Sequence, residues 1–467
     1  MKRIASTDRL PAWLQWGLFG LLGVIFVLMP FHAFLSTWAG SVFGGIEVWK
    51  SWKELLLVFA SFPLVIWLSL KPRRWANLFK DPLAWWIMAC IVVLGFVSLL
   101  HFRENGVSAT MAGLAMTGRY LLIFTLAYTL FLYGTWNWHE IRRHMTGYLV
   151  AIGLLLSLLG ILQVQLLPHD FLVQFGYDKE TTIAPYMLID DNPEAPRAFA
   201  TLRGPNDYGA YLILPLLLTL IAAWRNKWWL VGSGVVLFAL FESASRSAWL
   251  GAVTATIALV AMTVGRQVLT SRKWQIGIAA AALFAVLVGI AALSVPSIRL
   301  EIFHSSPDDL SLTEGSTDNH WQATMGGMQR VLANPLGCGA GCAGPASYYG
   351  EHPRISENYY VQVAEEIGIS GLILWIGIVI MVAQRLWKRR DDYLARVLLA
   401  GFIGISVIGL WLHVWADDPL SLTWWLLAGA TLGYYGQIGY DRHKHSSKTT
   451  HDRKKAQKTP QVRRRIH

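Results

Sequence analysis

Charge is what this sequence most lacks: Asp, Glu, Lys and Arg together make up 15% of its 467 residues, against about 25% in a soluble domain. So little charge cannot cover a water-soluble fold. The 54% apolar content and mean hydropathy of +0.41 instead require lipid as solvent. Cysteine is nearly absent, with three residues in all, which excludes a disulfide-dense scaffold and any Cys/His metal spacing. No P-loop, no G-x-G-x-x-G opening a helix after a strand and no G-x-S-x-G turn occurs. ATP-driven and metal-hydrolase chemistry therefore lack their usual footing.

Apolar runs are what the chain has in excess. Stretches long enough to cross about 30 Å of hydrocarbon fall near 12–35, 54–70, 83–100, 113–133, 146–167, 208–223, 229–245, 249–264, 275–295, 367–387, 396–416 and 421–437. They predict an all-α polytopic bundle of about twelve transmembrane helices with both termini on one side. Trp is abundant, at 23 residues. Many lie at the ends of these runs (Trp13, Trp16, Trp67, Trp75, Trp85, Trp86, Trp228, Trp229), where interfacial belts are expected.

The net charge of +11 would suggest nucleic acid in a soluble protein, but it sorts by topology instead. With the N-terminus in the cytoplasm, every short inner loop is basic: Lys71, Arg73, Arg74 and Lys80, then Arg142 and Arg143, then Arg225 and Lys227, then Arg385 to Arg390. The positive-inside rule thus predicts a multi-pass membrane protein with cytoplasmic termini and its working face on the non-cytoplasmic side. The first apolar run is expected to stay as a signal anchor rather than be cleaved. Cys90 reads as a packing residue. Cys338 and Cys342 fall in an outer loop where bridging is permitted but not required.

A transmembrane domain over 1–437 and a basic cytoplasmic tail over 438–467 are predicted, the tail disordered, binding anionic lipid head groups rather than nucleic acid. Two outer connections are long, 168–207 and 296–366, and long ordered loops are where function tends to sit. The second holds a candidate helix from Asp318 to Leu332 and a Gly-rich segment from Asn334 to Gly344.

Arginine on a face that otherwise avoids positive charge is the chemical signal. Arg246, in FESASRSAWLG, lies between two apolar runs, either paired with Glu242 or facing the interior as an anion site. Arg197 and Arg203 lead into a span through Gly204 and Pro205, with Asn206 or Asp207 as candidate caps. Guanidinium groups beside a helix N-terminus suit a diphosphate, and Lys53 and Arg119 complete the candidate diphosphate-binding set. Adjacent acids at Asp190 and Asp191, and at Asp308 and Asp309, resemble metal pairs only by adjacency, so no metal or cofactor is predicted.

The segment ISENYYVQVAEEIGISG, with the Gly-rich turn before it, resembles the O-antigen ligase and O-antigen polymerase superfamily of membrane glycosyltransferases. Ligases of that family show a His, then Asn, Ser or Gln, nine residues, and Gly-x-x-Gly. Here Asn358, Gly368 and Gly371 keep the spacing, while Glu357 stands where His is usual. The stretch from Arg197 to Leu212 and the SASRSAWLG turn are also similar to family segments. The resemblance implies transfer of a glycan from undecaprenyl pyrophosphate to a hydroxyl of lipid A-core oligosaccharide, inverting and without metal. It needs a general base, for which Glu357 and His352 are the candidates, with His320 and His304 also on outer segments and helix capping an alternative role for Glu357. A polymerase using two undecaprenyl-linked glycans fits nearly as well. A multispan transporter or flippase is the reading from another class, disfavoured because no internal repeat is visible.

Overall fold

The computed structural model describes residues 9–189, 192–264 and 316–456, without the side chains of 316–319 and 438–456. Its helices are α1 (Ala12–Leu28), α2 (His32–Phe43), α3 (Ile46–Lys50), α4 (Trp52–Ser69), α5 (Pro72–Leu78), α6 (Pro82–Leu100), α7 (Phe102–Tyr133), α8 (Trp138–Gln165), α9 (Pro205–Ala223), α10 (Trp229–Glu242), α11 (Arg246–Thr263), α12 (Ser316–Ala333), α13 (Tyr359–Trp387), α14 (Tyr393–Ile408) and α15 (Asp418–Ala456). Among the described residues 8 helical stretches are long and apolar enough to cross a membrane, counting α1 and α2 as one, and α10 and α14 are shorter apolar helices. The predicted apolar stretches overlap these helices, 12–35 running across α1 and α2 and 396–416 past the end of α14, except 275–295, which lies outside the described residues, as do Asp190, Asp191, His304, Asp308 and Asp309. The chain is an all-α, multi-pass membrane protein.

Helix starts follow local chemistry. Pro72, Pro82 and Pro205 occupy the first position of α5, α6 and α9, where a missing N–H costs nothing. Asp81, Asn358 and Asp392 cap α6, α13 and α14 by accepting bonds from backbone amides. The expected cap of α9 by Asn206 or Asp207 is not formed. Gly204 holds that position, and the Asn206 oxygen instead accepts a bond from Arg197.

Close helix contacts are made by small residues, as expected where lipid gives no hydrophobic drive between helices. Gly429 and Gly433 on α15 lie against the backbone of Phe124 and Tyr128 on α7, and Gly251 on α11 meets Gly404 on α14. Arginines on the predicted inner loops hold two of the capping carboxylates: Arg385 binds Asp81, and Arg142 binds Asp392 at 2.5 Å. Trp13, Trp16, Trp85 and Trp228 are exposed at helix ends, but Trp67 is buried. Arg74 covers the Trp67 ring, 3.9 Å from its centroid, so this Trp serves packing rather than a belt.

The first long outer loop contains an antiparallel pair, β1 (Leu188–Ile189) and β2 (Asn192–Pro196). In the second, α12 covers the predicted Asp318–Leu332 helix, and the bridge left open by the sequence is formed, joining Cys338 to Cys342. Helix α15 continues to Ala456; residues 457–467 lie outside the described part.

Candidate active site

The site is built around a break in a membrane helix. Within α13, Gly368 adopts φ 73°, a conformation open to glycine at little cost. The break lets the Gly-rich segment run alongside. Ile369 N–H donates to Pro335 O at 2.9 Å, Cys338 N–H to Glu365 O at 2.8 Å and Gly339 N–H to Glu366 O at 2.9 Å. A Cβ on Gly337 would meet the Gly368 backbone. Gly368 is thus explained by backbone approach, while a Cβ on Gly371 would meet Ile367 of its own helix.

The N-terminal end of α13 is fastened to the end of α14. Asn358 accepts from the amides of Tyr360 and Val361 and donates through its own amide to Leu410 O at 2.8 Å. Tyr359 N–H reaches Gly409 O at 3.0 Å, and the Tyr360 hydroxyl reaches Ser406 O at 2.9 Å. These bonds bring the loop after α14, with His413, up to Glu357. From the other side α12 supplies His320, held by Thr324 donating to Ser356 O at 3.1 Å and by Gly327 packed on Ser356.

Glu357 therefore sits between two imidazoles. Its Oε2 is 3.3 Å from His320 Nδ1 and 3.8 Å from His413 Nδ1, with the carboxylate side chain 25% exposed. Burial works against its charge, yet the contact with His320 and the nearby His413 outweigh it, and the group titrates below the usual glutamate range. Burial likewise holds His413 below the ordinary histidine range; Glu357 opposes this, while Arg203 and His320 add to it. Arg203 is exposed. Among the described residues it forms no hydrogen bond or ion pair, and its charge is felt by His413, Asp207 and Tyr349.

The other predicted residues are placed differently. Arg197 braces a corner, donating to Ser243 O at 3.0 Å, Ala244 O at 3.3 Å and Asn206 Oδ1 at 3.1 Å. Arg246 opens α11 behind its capping residue Ser245 and is half-buried. Glu242, the partner considered for it, accepts from Gln165 at 3.2 and 3.3 Å. Lys53 and Arg119 lie in a buried ion cluster. Lys53 is 2.9 Å from Asp418 and 3.1 Å from Glu54. Arg119 bonds Glu54 at 2.9 Å and also Asp418, while His32 lies 3.3 Å from Asp418. His352 is exposed and is not one of the two histidines within 4 Å of the Glu357 carboxylate. His413 went unnoticed in the sequence, since it lies in a Trp-rich loop with no spacing signal.

Three non-glycine residues of the described chain have positive φ: Ala200, Ala244 and Glu357. Each falls in one of the three segments whose sequence resembles the family, and strain of this kind gathers at functional sites. Residues 231–376 match the family model described as O-Antigen ligase. This part of the chain resembles an O-antigen ligase domain. The domain takes in the SASRSAWLG turn, α12, the Gly-rich segment and Glu357 to Gly371, less than half of the chain, and stops short of His413. No curated protein matches the chain.

Proposed function

We propose that this O-antigen ligase-family protein transfers a glycan from undecaprenyl pyrophosphate to a hydroxyl of lipid A-core oligosaccharide, on the periplasmic face of a bacterial inner membrane, with inversion and without a metal. The observation that carries this is Glu357 held between His320 and His413 with the charge of Arg203 in reach. Glu357 stands where the family's ligases have His, and two histidines from other elements bring imidazole to that point. The acceptor hydroxyl oxygen attacks the anomeric carbon while its proton passes to the imidazole of His413, oriented by Glu357. The bond from the anomeric carbon to the diphosphate oxygen breaks, and its electron pair leaves with the diphosphate. Arg203, with Arg246 and Arg197 in the neighbouring turn, stabilises that charge, the task a divalent cation performs elsewhere. Lys53 and Arg119, each held by Glu54 and Asp418, leave a diphosphate little unanswered charge. Basic inner loops and the Cys338–Cys342 bridge support the sidedness, since disulfides persist in an oxidising compartment.

The test is transfer from purified lipid-linked glycan to purified core lipid in the presence of a chelator. Product should form, and Arg203→Ala should lower kcat by about 10²–10³. Strict dependence on added divalent cation would overturn the metal-free reading, and transfer only onto a second lipid-linked glycan would identify a polymerase instead.

A further inference from the structure

Helix α12 has two unlike faces. His320, Thr324, Gly327 and Arg330 turn inward, to Glu357, Ser356, Val361 and Glu365 in that order, so α12 runs parallel to the beginning of α13. Its other face exposes Trp321, Met325, Met328 and Leu332, at 64, 37, 47 and 77%. At about 100° per residue these four fall within about 60° of arc, flanked by uncharged Gln322 and Gln329. Beyond the helix Leu336 continues the stripe, 74% exposed. The neighbouring residue Pro335 accepts from Ile369 N–H at 2.9 Å, where an exposed ridge of α13 begins and runs on to Ile380.

We infer that this continuous apolar track binds the isoprenoid tail of the polyprenyl diphosphate donor; the inference rests on the donor class proposed above. Three observations favour that occupant over a bilayer phospholipid. The track begins one residue from His320, whose ring touches Glu357, so a ligand with its head at the site delivers its tail here. Its two helical stretches are each about 16 Å long at 1.5 Å per residue, together about twice the half-thickness of a hydrocarbon core of about 30 Å. The paired methionines offer unbranched, polarisable side chains that adapt to a kinked, branched hydrocarbon.

The experiment uses the full protein in nanodiscs and, as probe, undecaprenyl diphosphate carrying a diazirine in its isoprene units and no glycan. Illumination should label the α12 peptide. Unlabelled undecaprenyl diphosphate should compete and excess phospholipid should not, and M325Q/M328Q should lower labelling about tenfold, or about 1.4 kcal/mol, with an unchanged melting temperature. Should that variant melt early, Met328→Leu serves as the folded control and must keep its labelling. Labelling that phospholipid displaces equally, or that is absent from α12, overturns the inference. The readout does not depend on transfer, so intact labelling in a protein that transfers no glycan would count against the proposed reaction alone.

Discussion

At the scale of single residues, Glu357 is placed at a conformational cost, since its φ of 52° is unfavourable for any side chain with a Cβ. Glu357→Gly should therefore raise stability by up to about 1 kcal/mol, read as a higher melting temperature in detergent, while transfer is lost. A destabilised Glu357→Gly protein would show that the strain belongs elsewhere. The histidine partner makes a separate prediction. His413→Ala should lower kcat by about 10²–10⁴, whereas His352→Ala, altering an exposed loop, should leave it near normal. Because burial keeps His413 below the ordinary histidine range, the imidazole is neutral and able to accept a proton at neutral pH. The rate should hold on the alkaline side and fall with acidification, with the limb of kcat/KM below about 6.5. Glu357 raises the His413 pKa, so Glu357→Gln should move the residual limb further to acid; a limb unmoved by that change would exclude His413 as the titrating base. The residue-level site was half legible. Glu357 and Asn358 declared themselves by spacing to Gly368 and Gly371, but His413 is joined to them only through Asn358, Tyr359 and Tyr360 bonding the end of α14.

At the scale of elements, the helices were legible because lipid imposes a run of apolar residues on every span. The Gly-rich segment was legible only as unusual. Nothing in its composition says that it pairs with a broken helix, since the pairing is made by backbone amides and carbonyls that every residue carries. The break predicts how the element fails. A side chain at Gly368 would both disfavour φ 73° and meet the Leu336 carbonyl at 2.6 Å, so Gly368→Ala should cost about 2–4 kcal/mol. Gly118, whose added Cβ meets nothing, is the control, and Gly118→Ala should be neutral or slightly stabilising. Comparable melting temperatures for the two variants would mean that the break relaxes without loss. Trp67 and the α9 cap departed from expectation for a related reason: each is decided by a side-chain partner outside the local turn, Arg74 for Trp67 and Arg197 for Asn206.

At the scale of the whole molecule, charge is used in two ways that the sequence could not separate. Lys53 and Arg119 resemble Arg203 as isolated cations near outer segments, yet in three dimensions they face Glu54 and Asp418 and tie α4, α7 and α15 together, with His32 of α2. A buried cation already matched by carboxylates gives a substrate little unanswered charge, and removing it strands its partners. Lys53→Met should therefore cost about 3–5 kcal/mol, with a lower melting temperature, and Lys53→Met/Asp418→Asn should recover part of that loss. If Lys53 instead contacts the diphosphate, the single variant should melt normally and raise the KM for the lipid-linked donor, and no second-site carboxylate change should rescue it. Arg203, exposed and without an ion pair among the described residues, supplies the opposite case: Arg203→Ala should spare the melting temperature and reduce transfer. The contrast between the two variants decides whether the positive charge at this end of the bundle divides into a structural cluster and a working residue, or acts as one diphosphate cradle.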